Sequence, residues 1–389
     1  MEVPAARITA LSDGWLTRPS ASGRLLRTLR AVPPGQLDAV LRTVDVDRML
    51  TSLRSWRIGH RQQAVDLLLR ERVDELSLGA LAEVLSALHT GPTPRFSQEA
   101  IVEVLTSRVD TEFNELKYRL NATKDHHDLE HLVFEDLEED LQERLLEHIA
   151  DQVDYAGSSD LRVLCDIDDT VKCVIHDRRY PRGVVYPGVV TLLNALDQGG
   201  NDEPDRPGDL TFVTARPGGP RGLVEQYTRG KLGGLGLPPH SVMGGSFLNL
   251  HTKNAIAERK LQNMDRDRLL FPECRMVFLG DSGQADGDVG AEMHQRDPEH
   301  IVGTLLHNVT DLDTSQRAAW AERGVHVFDT YAGAAAHAVR LGLIRVDQAR
   351  EVAQAVRTGL ELLELAPERH ERLARDLAAD EAEIEQLAS

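Results

Sequence analysis

Five short apolar runs, separated by segments of helical length, lie between Gly157 and about Thr330. They are LRVLCDID, DLTFVTAR, RMVFLGD, IVGTLLHNV and VHVFDT. Most of them end in a charged or small polar residue. Strands that alternate with helices form βαβ units, and such units build a parallel sheet covered by helices. This pattern therefore predicts an α/β domain.

Helical periodicity fills the chain on both sides of this stretch. From about Leu25 to Gln152, apolar residues recur every three or four positions, as in LDAVLRTVDVDRML and LGALAEVLSAL. The end of the chain is again helical and rich in Ala, Glu, Arg and Leu. We predict an all-α domain over residues 1–156, the α/β domain over 157–345, and C-terminal helices over 346–389 that pack on the body or on a partner.

Composition excludes several classes of protein. The 389 residues include 44 Lys and Arg against 63 Asp and Glu, a net charge of −19, so nucleic acid is an unfavourable partner for the whole chain. No run approaches the roughly 18 apolar residues of a membrane span, and the N-terminus lacks the pattern of a secretion signal. Three cysteines are too few for a disulfide framework. We expect a cytoplasmic protein without a transmembrane segment.

The first apolar run ends in the motif CDIDDT, residues 165–170. Three carboxylates within four residues repel one another and lose hydration, and a divalent cation would remove that cost. Ligands of parallel sheets bind at the carboxyl ends of the strands, where these acids fall. Asp166 and Asp168 can approach one point there, one as a nucleophile and the other as a proton donor. The alternative is a cluster of residues that cap a helix.

Two further runs end in groups suited to a phosphate and a metal ion. FVTARP supplies the Thr214 hydroxyl, the Arg216 guanidinium and backbone N–H groups for phosphate oxygens, although a simple helix start is the alternative. LGDSGQAD supplies Asp281 and Asp286, with glycines that allow close approach to an ion. Together with Asp166, these two acids would form a Mg²⁺ site. The alternative is a turn rich in Gly and Asp.

Positive charge near these motifs has two candidate sources. Lys260 lies 21 residues before Asp281, about one helix and one strand upstream, and Lys253 is its competitor for balancing the acids and an incoming phosphate. The stretch DRRYPR, residues 177–182, directly follows the first motif. It is either a contact for an anionic substrate at the mouth of the site or a solvated loop.

Asp-x-Asp-x-Thr, a strand-end Thr, a helix Lys and Gly-Asp-x-x-x-x-Asp, in this order, resemble the four motifs of the haloacid dehalogenase superfamily of phosphohydrolases. More narrowly, DIDDT, VYPGV, FVTARP and GDSGQ-x-D are similar to the actin-patch phosphatidate phosphatase family, relatives of the lipin catalytic domain. The resemblance covers roughly Gly157 to Ile344. That family has its lysine about twelve residues before an FP dipeptide, which matches Lys260 and Pro272.

The resemblance implies a Rossmann-like, haloacid dehalogenase-type domain. Only about 45 residues separate Thr170 from Thr214, and Thr214 from Lys260, which leaves no room for a large cap. We therefore expect an open site, and open sites suit bulky substrates.

The resemblance also implies a role for each residue of the site. Asp166 is the nucleophile that forms an aspartyl-phosphate, and Asp168 is the general acid/base that also offers its main-chain carbonyl to Mg²⁺. It further implies that Thr214 and Lys260 hold the transferring phosphoryl group, that Asp281 binds the metal ion with support from Asp286, and that Thr170 orders the loop. We also expect Thr170, Arg216 and Ser282 to contact the substrate.

Three functions remain open at this point. The first is a Mg²⁺-dependent phosphomonoesterase that acts on a lipid phosphate, as in the phosphatidate phosphatase family. The second is the same chemistry on a phosphoprotein or a nucleic-acid end. The third is a non-catalytic protein whose helical regions bind a protein partner and whose phosphatase fold is vestigial. Nothing outside the α/β stretch suggests a lipid-binding sandwich or an amphipathic membrane helix.

Overall fold

The structure is a computed structural model. It describes residues 2–12, 19–53, 59–121, 129–153, 161–201, 209–217, 234–245 and 253–388. Of residues 2–3, 19–20, 214–217, 243–245 and 253–256, only the backbone is described. The chain divides into two compact units, Met1–Ala156 and Gly157–Ser389.

The described elements of the first unit are all helical. Helix α6 shows how the sequence forms them: the Ser77 side chain accepts from the N–H of Ala80 and caps the helix, and the apolar positions Leu81, Leu85 and Leu88 are buried on one face. The α-helices are α1 (Glu2–Ser12), α2 (Pro19–Arg30), α3 (Leu37–Leu41), α4 (Val46–Ser52), α5 (His60–Asp66), α6 (Leu78–Leu88), α7 (Arg95–Thr106), α8 (Asp110–Asn121), α9 (Leu129–His131) and α10 (Glu139–Asp151). Shorter turns are π-helical at Leu67–Glu71 and Leu132–Asp136, and 3₁₀ at Val73–Glu75.

The second unit contains a six-stranded, all-parallel sheet, as the α/β prediction requires. The strand order is β3-β2-β1-β4-β5-β6, which is the order of a doubly wound sheet. That order reverses between β1 and β4, and ligands of such sheets bind outside the carboxyl ends of the strands at this point. The strands are β1 (Leu161–Cys165), β2 (Leu210–Pro217), β3 (His240–Gly245), β4 (Arg275–Asp281), β5 (Ile301–His307) and β6 (Val325–Phe328).

Helices cover both faces of this sheet. Val163 and Cys165 of β1 belong to one hydrophobic core, whereas Leu164, which points to the opposite face, belongs to another. All five residues of β1 are buried, as expected for a central strand between two helical layers. The helices between and after the strands are α11 (Val189–Gln198), α12 (Lys253–Leu270), α13 (Asp286–Arg296), α14 (Thr314–Ala321) and α15 (Tyr331–Arg340).

Two C-terminal helices complete the second unit, α16 (Val346–Glu361) and α17 (Pro367–Leu387). Val352 and Val356 of α16 and Leu373 of α17 are buried in the same core as the sheet residue Val163. Of the two sequence-based alternatives, packing on the body is therefore the one observed. Among the described helices, none combines the length and the hydropathy that crossing a membrane requires.

A large cap, which we expect to be absent, would have to lie in the segments that follow β1, β2 and β3. After β1, the described backbone makes two isolated bridges, a parallel one between Asp168 and Lys172 and an antiparallel one between Lys172 and Val185, before α11 begins. Residues 202–208, 218–233 and 246–252 lie outside the described part of the chain. The absence of a large cap therefore stays a prediction.

A fully buried ion pair joins β1 to α12. The Arg162 guanidinium donates to both carboxylate oxygens of Asp267 at 2.6 and 3.2 Å, and also to Thr211 Oγ1 at 2.8 Å. It stacks on the Phe271 ring, with 3.9 Å from its central carbon to the ring centroid. Removing one member of such a pair leaves a buried charge without its partner.

We expect Asp267→Ala to lower the free energy of unfolding of the second unit by about 3–5 kcal/mol. The double variant Arg162→Met/Asp267→Leu, which removes both charges, should cost far less because no buried charge remains. Urea unfolding, monitored by hydrogen exchange of the β1 amides, measures the free energy of unfolding of the single and the double variant. Equal losses in the two variants would contradict this account.

Candidate active site

The carboxyl ends of β1 and β4 lie side by side where the strand order reverses. Their parallel pairing ends with Cys165 opposite Leu279, and the N–H of Asp166 then donates to the Leu279 carbonyl at 2.9 Å. Asp166 directly follows β1, and Asp281 is the last residue of β4. Both acids therefore reach the same edge of the sheet.

Asp166, Asp281 and Asp286 form a buried carboxylate group at this edge. One oxygen of each lies within 4.8 Å of one oxygen of each of the others. Gly280 permits this approach, because a Cβ atom at that position would lie 2.5 Å from the Cβ of Asp286. Oxygens on opposite sides of a hard cation are about 4–5 Å apart, so one ion can contact all three carboxylates.

Lys260 inserts its ammonium group between two of these carboxylates. Its Nζ lies 2.7 Å from Asp166 Oδ1 and 2.5 Å from Asp286 Oδ1, and its side chain is only 1% exposed. Burial alone would lower the pKa of Lys260, but Asp166 and Asp286 outweigh it and raise that pKa above the usual range. Lys260 is therefore a permanent positive charge in the site. Its competitor Lys253 begins α12, and its side chain lies outside the described part of the chain.

One lysine does not balance three buried carboxylates. Burial raises the pKa of Asp166 to about 7, against the attraction of Lys260 and with added repulsion from Asp286. Burial, followed by repulsion from Asp286 and Asp166, raises the pKa of Asp281 well above its usual range. The folded protein therefore holds negative charge here at a cost when no further cation is present.

The residues fit a hard divalent cation at this point. Asp166 Oδ2 is buried and accepts no hydrogen bond from the described part of the chain. Carboxylate oxygens are the ligands that Mg²⁺ and Ca²⁺ prefer, and a double positive charge would offset the two negative charges that Lys260 leaves unbalanced. Asp166, Asp281 and Asp286 are the side chains that could hold such an ion.

Asp169, the third acid of the first motif, has a different environment from Asp166, and the motif does not indicate it. It adopts a left-handed conformation with φ of 60°, and its carboxylate accepts from the backbone N–H groups of Val174, Ile175 and His176. His176 Nδ1 lies 3.0 Å from the same carboxylate. Asp169 therefore fixes the loop after β1. In the sequence, its position in the acidic run was the one signal that this residue has a function.

Aromatic residues from β5 and α15 hold the backbone of the same loop. His307 Nδ1 lies 3.0 Å from the carbonyl oxygen of Asp169, and the Tyr331 hydroxyl donates to the carbonyl of Thr170. Thr170 itself is fully buried, and its hydroxyl has no hydrogen-bond partner among the described residues. These contacts fix the backbone of the loop, whereas the role of Thr170 itself in ordering the loop stays a prediction. His307 and Tyr331 lie far away in sequence and carry no motif that would have indicated this role.

Asp168 and Ser282 occupy the rim of the site. Asp168 is partly buried, and its backbone forms an isolated parallel β-bridge with that of Lys172. Its carboxylate is not part of the buried group formed by Asp166, Asp281 and Asp286. The Ser282 hydroxyl accepts from the N–H groups of Val309 and Thr310 at 3.0 and 3.2 Å. Ser282 thus joins the loops after β4 and β5, whereas its substrate contact stays a prediction.

Thr214 and Arg216 lie at the carboxyl end of β2, on the other side of β1. Phe212 pairs with Cys165, so Thr214 is two residues beyond the last pair, at the same sheet edge as Asp166. The side chains of Thr214 and Arg216 lie outside the described part of the chain. Their contacts with phosphate therefore remain predictions from the motif.

No protein-family model, curated protein or solved structure matches this chain. The resemblance to the haloacid dehalogenase superfamily therefore depends on the four motifs and their order. In the structure, Lys260 of the third motif contacts both Asp166 of the first motif and Asp286 of the fourth.

Proposed function

We propose that this chain is a Mg²⁺-dependent phosphomonoester hydrolase of the haloacid dehalogenase type, which acts through an aspartyl-phosphate and resembles phosphatidate phosphatases. The observation that carries the proposal is the buried contact of Lys260 with Asp166 and Asp286, beside Asp281. A structural ion pair needs one acid and one base. Three buried acids with one lysine instead suit a site that receives a cation and a phosphate.

The proposed reaction has two steps that this chain's residues perform. An oxygen of Asp166 attacks phosphorus, the bond from phosphorus to the ester oxygen breaks, and Asp168 donates a proton to that oxygen. Water then attacks phosphorus in the aspartyl-phosphate, Asp168 accepts a proton, and inorganic phosphate leaves with Asp166 restored. Lys260 and the strand-end Thr214 hold the phosphoryl oxygens during both steps. When bound, Mg²⁺ supplies positive charge that offsets the charge on the phosphoryl group.

A phosphate-release screen with matched phosphomonoesters tests this proposal. The panel contains a lipid phosphate, a phosphopeptide, a 5′-phosphorylated oligonucleotide and an aryl phosphate, each with Mg²⁺ and with EDTA. We expect release that EDTA abolishes and excess Mg²⁺ restores, and the panel ranks the substrate classes. Release of phosphate that is unaffected by EDTA, or no release from any substrate, would contradict the proposal.

Binding of Mg²⁺ also has a stability readout that does not need turnover. In EDTA above neutral pH, Asp281→Asn should raise the melting temperature, because it removes a carboxyl group whose pKa is raised in the folded state. The sign follows from proton binding: a raised carboxyl pKa means that stability falls as pH rises through and above the unfolded value. The advantage of Asp281→Asn should therefore shrink on acidification.

With Mg²⁺ the order should reverse. A concentration of 100 times Kd adds about 2.7 kcal/mol to wild-type stability, roughly 5–10 °C in melting temperature, and adds little to Asp281→Asn. Asp288→Asn is the matched control, because Asp288 lies on α13 but is exposed and paired with Arg323. A metal-induced shift of equal size in Asp281→Asn and wild type would exclude Asp281 as a ligand.

A further inference from the structure

A cleft of about 610 Å³ opens beside the carboxylate group of the second unit. We call it the arginine cleft. Its walls come from the loop after β1, the loop after β5 and the first turns of α17, and they include Arg178, Arg179, Arg369 and Arg372.

His176 connects the arginine cleft to the candidate active site. It lines the cleft, and one of its ring nitrogens lies within 4.8 Å of ligand oxygens of both Asp169 and Asp281. The ring also lies against Gly283, where a Cβ atom would be 2.5 Å from His176 Nδ1. One wall of the cleft therefore reaches the edge of the carboxylate group.

Four arginines line the arginine cleft against three acids. Arg179 pairs with Asp177 and, at 3.6 Å, with Asp329, and Arg372 pairs with Asp311 and, at 3.9 Å, with Asp376. Arg178 and Arg369 are exposed, and their guanidinium groups have no ion-pair partner among the residues that the structure describes. Glu368 is the remaining acid of the wall.

Arg178 and Arg369 supply local positive charge near the candidate active site of a chain of net charge −19. The negative electrostatic potential of such a chain repels an anionic substrate, and arginines that line a cleft make the local potential more favourable for it. Guanidinium groups bind phosphate and carboxylate oxygens in a planar, two-point geometry. The volume of about 610 Å³ is typical of small-molecule sites and exceeds what a single phosphate needs.

We infer that the arginine cleft binds a second anionic group of the substrate, a further phosphate, through Arg178 and Arg369. This inference rests on the proposed phosphomonoesterase function and narrows its substrate to a small molecule or headgroup with two phosphates. Arg369 belongs to α17, so the C-terminal helix is part of the substrate site. The sequence stretch DRRYPR, which contains Arg178, then contacts substrate instead of forming only a solvated loop.

The test compares α,ω-alkanediol bisphosphates with alkyl monophosphates of the same chain length as substrates. In the wild type, we expect KM for the best bisphosphate to be about tenfold lower than for its monophosphate. The variant Arg178→Gln/Arg369→Gln should abolish this difference, because KM for the bisphosphate should rise about tenfold relative to KM for the monophosphate. The matched control is Arg182→Gln/Arg375→Gln, because these exposed arginines belong to the same loop and the same helix but do not line the cleft.

A binding measurement separates failure of this inference from failure of the proposed function. Calorimetric titration with propane-1,3-bisphosphonate, whose carbon–phosphorus bonds resist hydrolysis, needs no turnover. Binding that Arg178→Gln/Arg369→Gln weakens, and that the control variant retains, supports the cleft even if no substrate is hydrolysed. Hydrolysis with equal KM for bisphosphate and monophosphate would overturn the inference and leave the phosphatase proposal intact. Absence of bisphosphonate binding would also overturn it.

Discussion

Asp166→Asn should reduce phosphate release by at least about 10⁴-fold, because an amide oxygen cannot attack phosphorus to form the covalent intermediate. The substitution keeps the shape of the side chain and an oxygen that can accept from Lys260, which lies 2.7 Å from Asp166 Oδ1. It also removes one of three buried carboxylates. We therefore expect the folded structure to persist.

The measurement is steady-state turnover of an aryl phosphate with Mg²⁺, alongside circular dichroism and the melting temperature. In EDTA near pH 8, the melting temperature of Asp166→Asn should be equal to or above that of the wild type, because burial raises the pKa of Asp166 to about 7 and its charge is destabilising above that pH. Asp288→Asn, an exposed acid on α13, should retain full activity. Residual activity of one per cent or more in a folded Asp166→Asn protein would exclude a nucleophilic role.

Five strands could be predicted from their apolar runs, including the edge strand β6, and one strand could not. The five apolar runs correspond to β1, β2, β4, β5 and β6, most of which have neighbours on both sides. The missed strand β3 has the sequence HSVMGG, with two apolar residues and two glycines. It lies at the edge of the sheet and pairs with β2 alone, so its formation depends on that pairing more than on its own hydropathy.

The position of the C-terminal helices could not be deduced from their sequence. Leu373 and Leu377 are spaced for one helical face, and this spacing is equally suited to a coiled coil with a partner or to a core within the same chain. The structure places both residues in the core that contains Val163 of the central strand. Only tertiary packing distinguishes these alternatives, because periodicity states which face is apolar and not what covers it.

The acids at the strand ends could be predicted because parallel strands bring their carboxyl ends to one edge. The motif alone did not indicate which of the neighbouring acids would be held by the backbone. Asp169 takes that role because its left-handed conformation turns its carboxylate toward the N–H groups of residues 174–176. The resemblance to the phosphatidate phosphatase family, through the spacing of Lys260 from Pro272, favours Lys260 over Lys253, and the structure gives Lys260 a buried position between Asp166 and Asp286.

Lys260→Met should reduce phosphate release by about 10²–10³-fold, the loss expected when one group that stabilises transition-state charge is removed. It should also lower the free energy of unfolding by about 3–5 kcal/mol, because Asp166 and Asp286 then face each other in a buried position without their shared cation. Methionine has a similar length and no charge, so the change tests charge rather than volume. Lys253→Met is the comparison, and a larger loss of activity in that variant would show that Lys253 holds the phosphoryl group.

A second substitution separates the catalytic role of Lys260 from its structural role. In the double variant Lys260→Met/Asp286→Asn, one negative charge is removed together with the positive charge, so the imbalance returns to its wild-type value. Stability in EDTA should recover most of the loss caused by Lys260→Met, because the repulsion between Asp166 and residue 286 disappears. Activity should stay at or below the level of Lys260→Met, because no ammonium group is present to hold the phosphoryl oxygens. Recovery of activity together with stability would show that Lys260 only supports the fold. In that case the metal ion and the strand-end Thr214 would stabilise the charge on the phosphoryl group without Lys260.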